Sequence, residues 1–456
     1  NLSLNLKKVI NYFMFLNTTS GDTFYKKIIR TLPREYLKIS QGKISREEIY
    51  CYSHSKYIGA NDFESLKNQF KKLFLRSVKN CARDSINISS ALSGGLDSSS
   101  ITSSLEYIGG KNITAKTVIF GNLKGSQNNK VDETYYSNLV AKQKNIEHHK
   151  IKLTNTGCIS DLKITRKIFP EPTGLVNGYI HHEIFKSLKS SGINTYLDGF
   201  AGDSIIGHGY TKLYELGKKF RIFELIKEDR ILHEKRGAKY SVLRTIKMYV
   251  IPFLIPSKVL WRIDKMRKTK NWQKTWIYRI NKKYLNGGVF NKIIKEFGRY
   301  PVKITSARSS HLENLKSINI SMGIYNASLL AKHYGINIRF PFLSKKLMEL
   351  SLNTPVKYKL HEGIDRYIFR EAMRGITPDA VLNRTTKADM SPFSFNEISN
   401  LDDQKILNSL KKNTGDFFDY DFLKKEIFSK KSLNFAEIYQ MYEFNEWLEI
   451  EGLKLD

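Results

Sequence analysis

The chain has 456 residues, 41% of them hydrophobic and 12% aromatic, enough to bury an extensive core and to form two or three domains. Its formal net charge is +31, but the lysines are scattered without a long run, which fits a lysine-rich proteome as well as it fits an anionic partner. Three dispersed cysteines, Cys51, Cys81 and Cys158, exclude a disulfide framework or a zinc site and suit a reducing cytoplasm.

No charged-then-apolar leader opens the chain. The most apolar stretch, residues 248–261, is broken by Pro252, Pro256 and Lys258, so no membrane span is expected. In chain order, Asn61 or Asp62 caps a helix on which Phe63, Leu66, Phe70, Leu73, Phe74 and Val78 recur at helical spacing. A β-type run over residues 86–92 ends in Ser93-Gly94-Gly95, and residues 98–108 read as a helix. Strands follow at 114–120, 148–153 and 194–197, separated by helices at about 133–144 and at 179–189. This alternation predicts an α/β fold, a parallel sheet with helices on both faces. Residues 210–302 change to basic amphipathic helices with three of the four tryptophans, and helical segments continue at 324–334, 345–352 and 366–373. The expected layout is an N-terminal segment over 1–60, a nucleotide domain over 61–210, a basic helical insertion over 211–302 and a helical remainder over 303–456.

The strongest chemical signal is Ser93-Gly94-Gly95-Leu96-Asp97-Ser98, between a strand and a helix. Two glycines allow a tight turn that presents N–H groups to an anion, and the helix N-terminus adds its positive dipole end. The Gly-Lys-Ser/Thr ending of a Walker loop is missing. A second signal, Asp198-Gly199-Phe200-Ala201-Gly202-Asp203, follows another strand, so that Asp97 and Asp203 form a carboxylate pair suited to magnesium. Further on stand Arg339-Phe340-Pro341-Phe342-Leu343, then Arg366-Tyr367 and Arg370, then Arg384-Thr385-Thr386-Lys387. By periodicity alone, Phe340 and Phe342 are core and the basic residues a solvated face.

The first loop resembles the pyrophosphate loop of the N-type ATP pyrophosphatases, and the motifs together resemble the asparagine synthetase family in order and spacing, with Asp132-Glu133 matching its acidic pair. The resemblance implies MgATP as cofactor, with Asp97 and Asp203 on the metal and Ser93, Gly94, Gly95 and Ser98 around the pyrophosphate. Leu96, Phe120 and Gly199 belong to the same implied nucleotide site. Lys387, and Arg366 with it, is implied to stabilise the charge that develops during adenylation and amide formation.

Departures from the family pattern bear on the substrate. Phe200 and Ser204 stand where asparagine synthetases carry Glu, and Asn337 and Ser344 replace Glu and Asp. An apolar ring cannot act as an acid or base. The pattern around residues 197–209 looks closer to lasso-peptide cyclases, which adenylate an acidic side chain of a precursor peptide and close a macrolactam on its own α-amine. That reading implies a precursor peptide and a leader-processing protein as partners, with free aspartate as the alternative substrate of a glutamine-hydrolysing asparagine synthase. A tRNA-modifying enzyme with a pyrophosphate loop is a remoter alternative; nucleic acid is not expected as a partner. Residues 1–50 resemble only the last part of the family's amidotransferase domain, and Asn1 is not the cysteine nucleophile a glutaminase needs, so a truncated or degenerate domain is expected. The histidine pairs His148-His149 and His181-His182 read as structural, and His208 as a residue near the site, either a substrate contact or a turn or surface residue.

Overall fold

The computed structural model describes residues 3–14, 21–33, 35–48, 62–109, 112–120, 134–143, 146–153, 157–256, 259, 279–285, 306–385, 394, 397–398, 400–429 and 435–455. The first strands, β1 (Glu35–Ser40) and β2 (Lys43–Glu48), form an antiparallel hairpin. Its two-residue turn, Gln41 and Gly42, has positive φ at both positions, the geometry whose twist matches a hairpin.

The central sheet has five parallel strands: β3 (Asn87–Ala91), β4 (Asn112–Phe120), β5 (Ile146–Leu153), β6 (Thr195–Leu197) and β7 (Asn337–Arg339). Their spatial order is β5-β4-β3-β6-β7. The chain therefore winds outward from β3 to β5, then crosses back to the other side of β3. That reversal leaves a crevice beyond the carboxyl ends of β3 and β6, the place where open α/β sheets take ligands. The expected parallel sheet is present. The fifth strand was not foreseen, and it brings residues 337–339 of the helical half into the sheet.

Two helices tie this crevice to the core. Helix α1 (Phe63–Ala82) is capped by Asp62, whose carboxylate accepts from the Ser65 amide, and it buries Leu66, Phe70, Phe74 and Val78. Phe74 packs against Phe342 and Phe369 with ring centroids 4.8 and 5.0 Å away. Helix α2 (Leu96–Ile108) starts at the first glycine loop and packs on both α1 and β3.

A second core joins the two ends of the chain. Residues Val9, Ile10 and Phe13 pack with Phe444, Trp447 and Leu448 of the helix Phe435–Glu451. Glu443 lies at 0% exposure beside it, 3.0 Å from Arg166 and accepting from the Tyr12 hydroxyl and from the Thr173 and Gly174 amides. A buried carboxylate survives only with its lone pairs satisfied in this way. No helix among the described residues is long and apolar enough to cross a membrane.

Candidate active site

The register aligns Ser90 of β3 with Leu197 of β6, so the loops that leave these strands start at the same level. Gly94 has φ +77°, a left-handed turn that an L side chain resists. Gly95 caps α2 without a side-chain bond, which leaves the first-turn amides of that helix for an external acceptor. Within the loop the Ser98 hydroxyl accepts from the Ser93 amide at 3.1 Å, and the two serine hydroxyls lie 3.0 Å apart. Leu96 points into the core at 6% exposure.

The second loop lies directly on the first. A Cβ on Gly199 would come within 3.0 Å of the Ser98 nitrogen, and one on Gly202 within 2.7 Å of the Asp97 carboxyl carbon. Only glycine lets the two loops approach this closely. Asp198 is spent on the turn itself, accepting from the Phe200 amide at 2.7 Å, with His181 at 3.2 Å from its other oxygen. The His181 pKa is raised: burial opposes its charge, but the hydrogen bond to Asp198 and that carboxylate's charge together outweigh it. Asp203 follows Gly202 in the first turn of the short helix Gly202–Ile206 and is exposed. Because Asp97 is clamped and cannot swing aside, Gly202→Ala is expected to push its carboxylate out of place. Activity at the site should fall at least tenfold, with about 1–3 kcal/mol lost in urea unfolding.

The clamp is Arg366. Its Nη1 donates to both Asp97 oxygens, at 2.7 and 2.9 Å. Burial works against its charge, yet Asp97, Asp365 and Asp203 together hold its pKa above the ordinary arginine value. Arg366 itself has φ +58°, a left-handed conformation uncommon outside glycine and concentrated at functional positions. Arg370, one turn on, is structural: it donates to the carbonyls of Asp365 and Leu382. Burial, and then the neighbouring Arg366, lower its pKa to about 10. Arg384 donates to the Gly94 carbonyl at 3.2 Å and stacks over Tyr136 at 4.4 Å, so the Arg384–Lys387 motif starts against the first loop. Lys387 itself, and the pair Asp132-Glu133, lie outside the described residues.

The Arg339–Leu343 motif works at a distance from this chemistry. Arg339 donates to the carbonyls of Cys81 and Arg83 at the end of α1, and Ser77 donates to the Pro341 carbonyl. Phe342 is fully buried, as its periodicity suggested. Phe200 instead forms an apolar wall beside the loops: its ring meets Phe340 at 6.1 Å, and a Cβ on Gly323 would come within 2.2 Å of it. Phe120, at the end of β4, packs half-buried with Leu153 and Ile151. His148 bonds to Thr117, and His182 lies between Asp161 and Tyr334.

Sequence reading did not find a buried basic cluster behind the second loop. His311 Nε2 donates to the Ser204 carbonyl at 3.0 Å, so its Nδ1 is the acceptor, and Lys359 Nζ lies 3.1 Å from it. The His208 ring lies tilted against His311, with centroids 4.5 Å apart. Burial, then Lys359, pushes the His208 pKa down to about 4, and burial lowers that of Lys359 to about 7. Among the described residues, no group of three or more His, Cys, Asp or Glu side chains is arranged to hold a metal ion.

Comparison with known sequences matches residues 69–449 to the asparagine synthase family. A protein of Methanocaldococcus jannaschii, named "Putative asparagine synthetase (glutamine-hydrolyzing) 2", is 23% identical over 250 residues. The match covers 55% of this chain and 47% of that protein, so the chain spans about half the length of the curated relative it matches.

Proposed function

The chain belongs to the asparagine synthase family, and from that premise we propose that it is an AMP-forming carbon–nitrogen ligase which closes a macrolactam in an acidic peptide. In this reading the amides of the first loop and the hydroxyls of Ser93 and Ser98 hold the pyrophosphate of ATP. Gly94, Gly95 and Gly199 give the backbone room for it, and Leu96 and Phe120 border the nucleotide. Asp97 and Asp203 would hold magnesium, because hard carboxylates suit this ion. Bound there, the ion supplies neutralising charge at the phosphates.

The chemistry has two displacements. A carboxylate oxygen of the substrate bonds to the α-phosphorus as the bond to pyrophosphate breaks. An amine nitrogen then bonds to the activated carbonyl carbon, its proton goes to solvent, and AMP leaves with the former carboxylate oxygen. Arg366 and Lys387 neutralise the charge that accumulates on the departing groups.

The observation that carries the choice of amine is Phe200, packed against Phe340 where a carboxylate would serve ammonia chemistry. An apolar wall suits a peptide segment held with its amine beside its own activated side chain, where proximity replaces a high amine concentration. Incubation with MgATP and a peptide whose α-amine can reach an Asp or Glu side chain is expected to yield AMP and a product lighter by one water. Asparagine from aspartate and ammonia, with no change in peptide mass, would instead assign the activity in the relative's name.

A further inference from the structure

A cavity of about 680 Å³ opens between the helix Thr211–Lys218, the start of the helix Ala307–Leu315 and residues 352–359. None of its lining residues belongs to the two glycine loops. Six basic side chains line it, Lys212, Lys219, Arg221, Arg308, Lys357 and Lys359, against two glutamates, Glu215 and Glu224. Both glutamates are already engaged, Glu215 by the Ala307 amide at 3.0 Å and Glu224 by Arg221. Lys212 is neutralised by Glu228 at 2.7 Å, and Arg308 donates to Asn353. The cations without an ion pair among the described residues are therefore Arg308, exposed Lys219 and Lys357, and Lys359, which is only 2% exposed, and the charge of Glu215 offsets one of the four. Leu216, Leu352, Pro355 and Val356 supply apolar lining between the cations.

A buried ammonium whose hydrogen-bond acceptor is a neutral imidazole is under-neutralised, and an anion beside it recovers part of the lost solvation. The volume falls in the range of small-ligand sites, and cations interleaved with apolar walls favour an organic anion over a bare inorganic one. We propose that this cavity is a second binding site, for an organic carboxylate, with Lys359 as its buried cation and Lys219 and Lys357 as its exposed ones. The site stands whether or not the chain makes a macrolactam. It is joined to the catalytic edge through His311, which links Lys359 to the Ser204 carbonyl next to Asp203.

The carboxylate could be that of a small dicarboxylic acid or of an acidic stretch of peptide, and the test separates the two. Binding of fluorescein-labelled triglutamate to the full chain is measured without ATP, with glutarate and inorganic phosphate as competitors. Expected are a saturable site, weakened at least tenfold both by Lys359→Met and by the double change Lys219→Glu with Lys357→Glu. Phosphate should compete poorly. Glutarate competing as well as unlabelled triglutamate assigns the site to small acids, and weak competition assigns it to peptide. Binding to the parent chain should tighten as the pH falls through about 7, where Lys359 gains its proton facing His311, His208, Glu215 and Asp365. Equal affinity in all three proteins would overturn the proposal. So would the same weakening from Lys38→Glu with Lys43→Glu, exposed on the hairpin and outside the cavity lining, because bulk charge would then explain the binding. Asp97→Asn should bind the probe normally, so failure of the ligase reading and failure of this site are distinguishable.

Discussion

Asp97→Ala is expected to remove ATP turnover by roughly a thousandfold while lowering stability by about 2 kcal/mol. Two separate losses are at work. In the proposed reaction the catalytic one is the Asp97 carboxylate at the first turn of α2, where the second loop closes on it through Gly202. The structural one is Arg366, left with its guanidinium largely buried and its partner gone. Fully buried pairs lose about 3–5 kcal/mol when one member is removed. The side chains here keep 23% and 17% exposure, so solvent screens part of that cost. Arg366→Met in the Asp97→Ala background should restore most of the stability without restoring turnover, a coupling readable from urea midpoints. If the single change were silent in stability, the clamp would be an exposed pair of little worth.

Lys359→Met is expected to stabilise the protein, and the size of the effect should depend on pH. The unfolded lysine keeps its proton up to about pH 10.5, whereas the folded one releases it near 7 because it is buried. Between these values folding expels a proton, so stability rises with pH. Below about 7 the folded chain carries the whole cost of an ammonium in its interior. Methionine removes that cost, with a gain on the order of 3 kcal/mol at pH 6 after allowing for the lost bond to His311. The gain should shrink toward zero by pH 10. Thermal melts of both proteins at pH 6 and pH 9.5 decide it; an equal shift at both would trace the effect to packing.

Much of the sheet was legible because β3 and β6 end in glycine loops and the strands alternate with helices whose apolar period is clear, as in Phe63–Ala82. The helix Cys158–Ile168 escaped because its buried face is half polar, with Asp161, Thr165 and Arg166 beside Cys158 and Leu162. No apolar period marks such a helix; its partners Glu443 and His182 come from elsewhere in the chain. Strand β7 escaped because three residues between helices carry no alternation. In the site, both glycine loops and Arg366 could be read as motifs, since local turn chemistry fixes their residue types. Arg384 was visible as part of a motif, but its bond to the Gly94 carbonyl spans 290 residues and belongs to the fold. Of the cluster of His208, His311 and Lys359, only His208 stands near a motif in the sequence, and nothing local requires the other two. Phe200 was legible as a departure, and its packing on Gly323 and Phe340 gives that departure a physical form.

In the proposed reaction a carboxylate is activated by transfer of AMP. A peptide labelled with oxygen-18 in its acidic side chain, turned over with MgATP, tests it most directly. Attack of the carboxylate on the α-phosphorus should place one labelled oxygen in AMP for each amide formed, with unlabelled pyrophosphate. Label found in inorganic phosphate, with ADP as the nucleotide product, would mean an acyl phosphate and would contradict the claim.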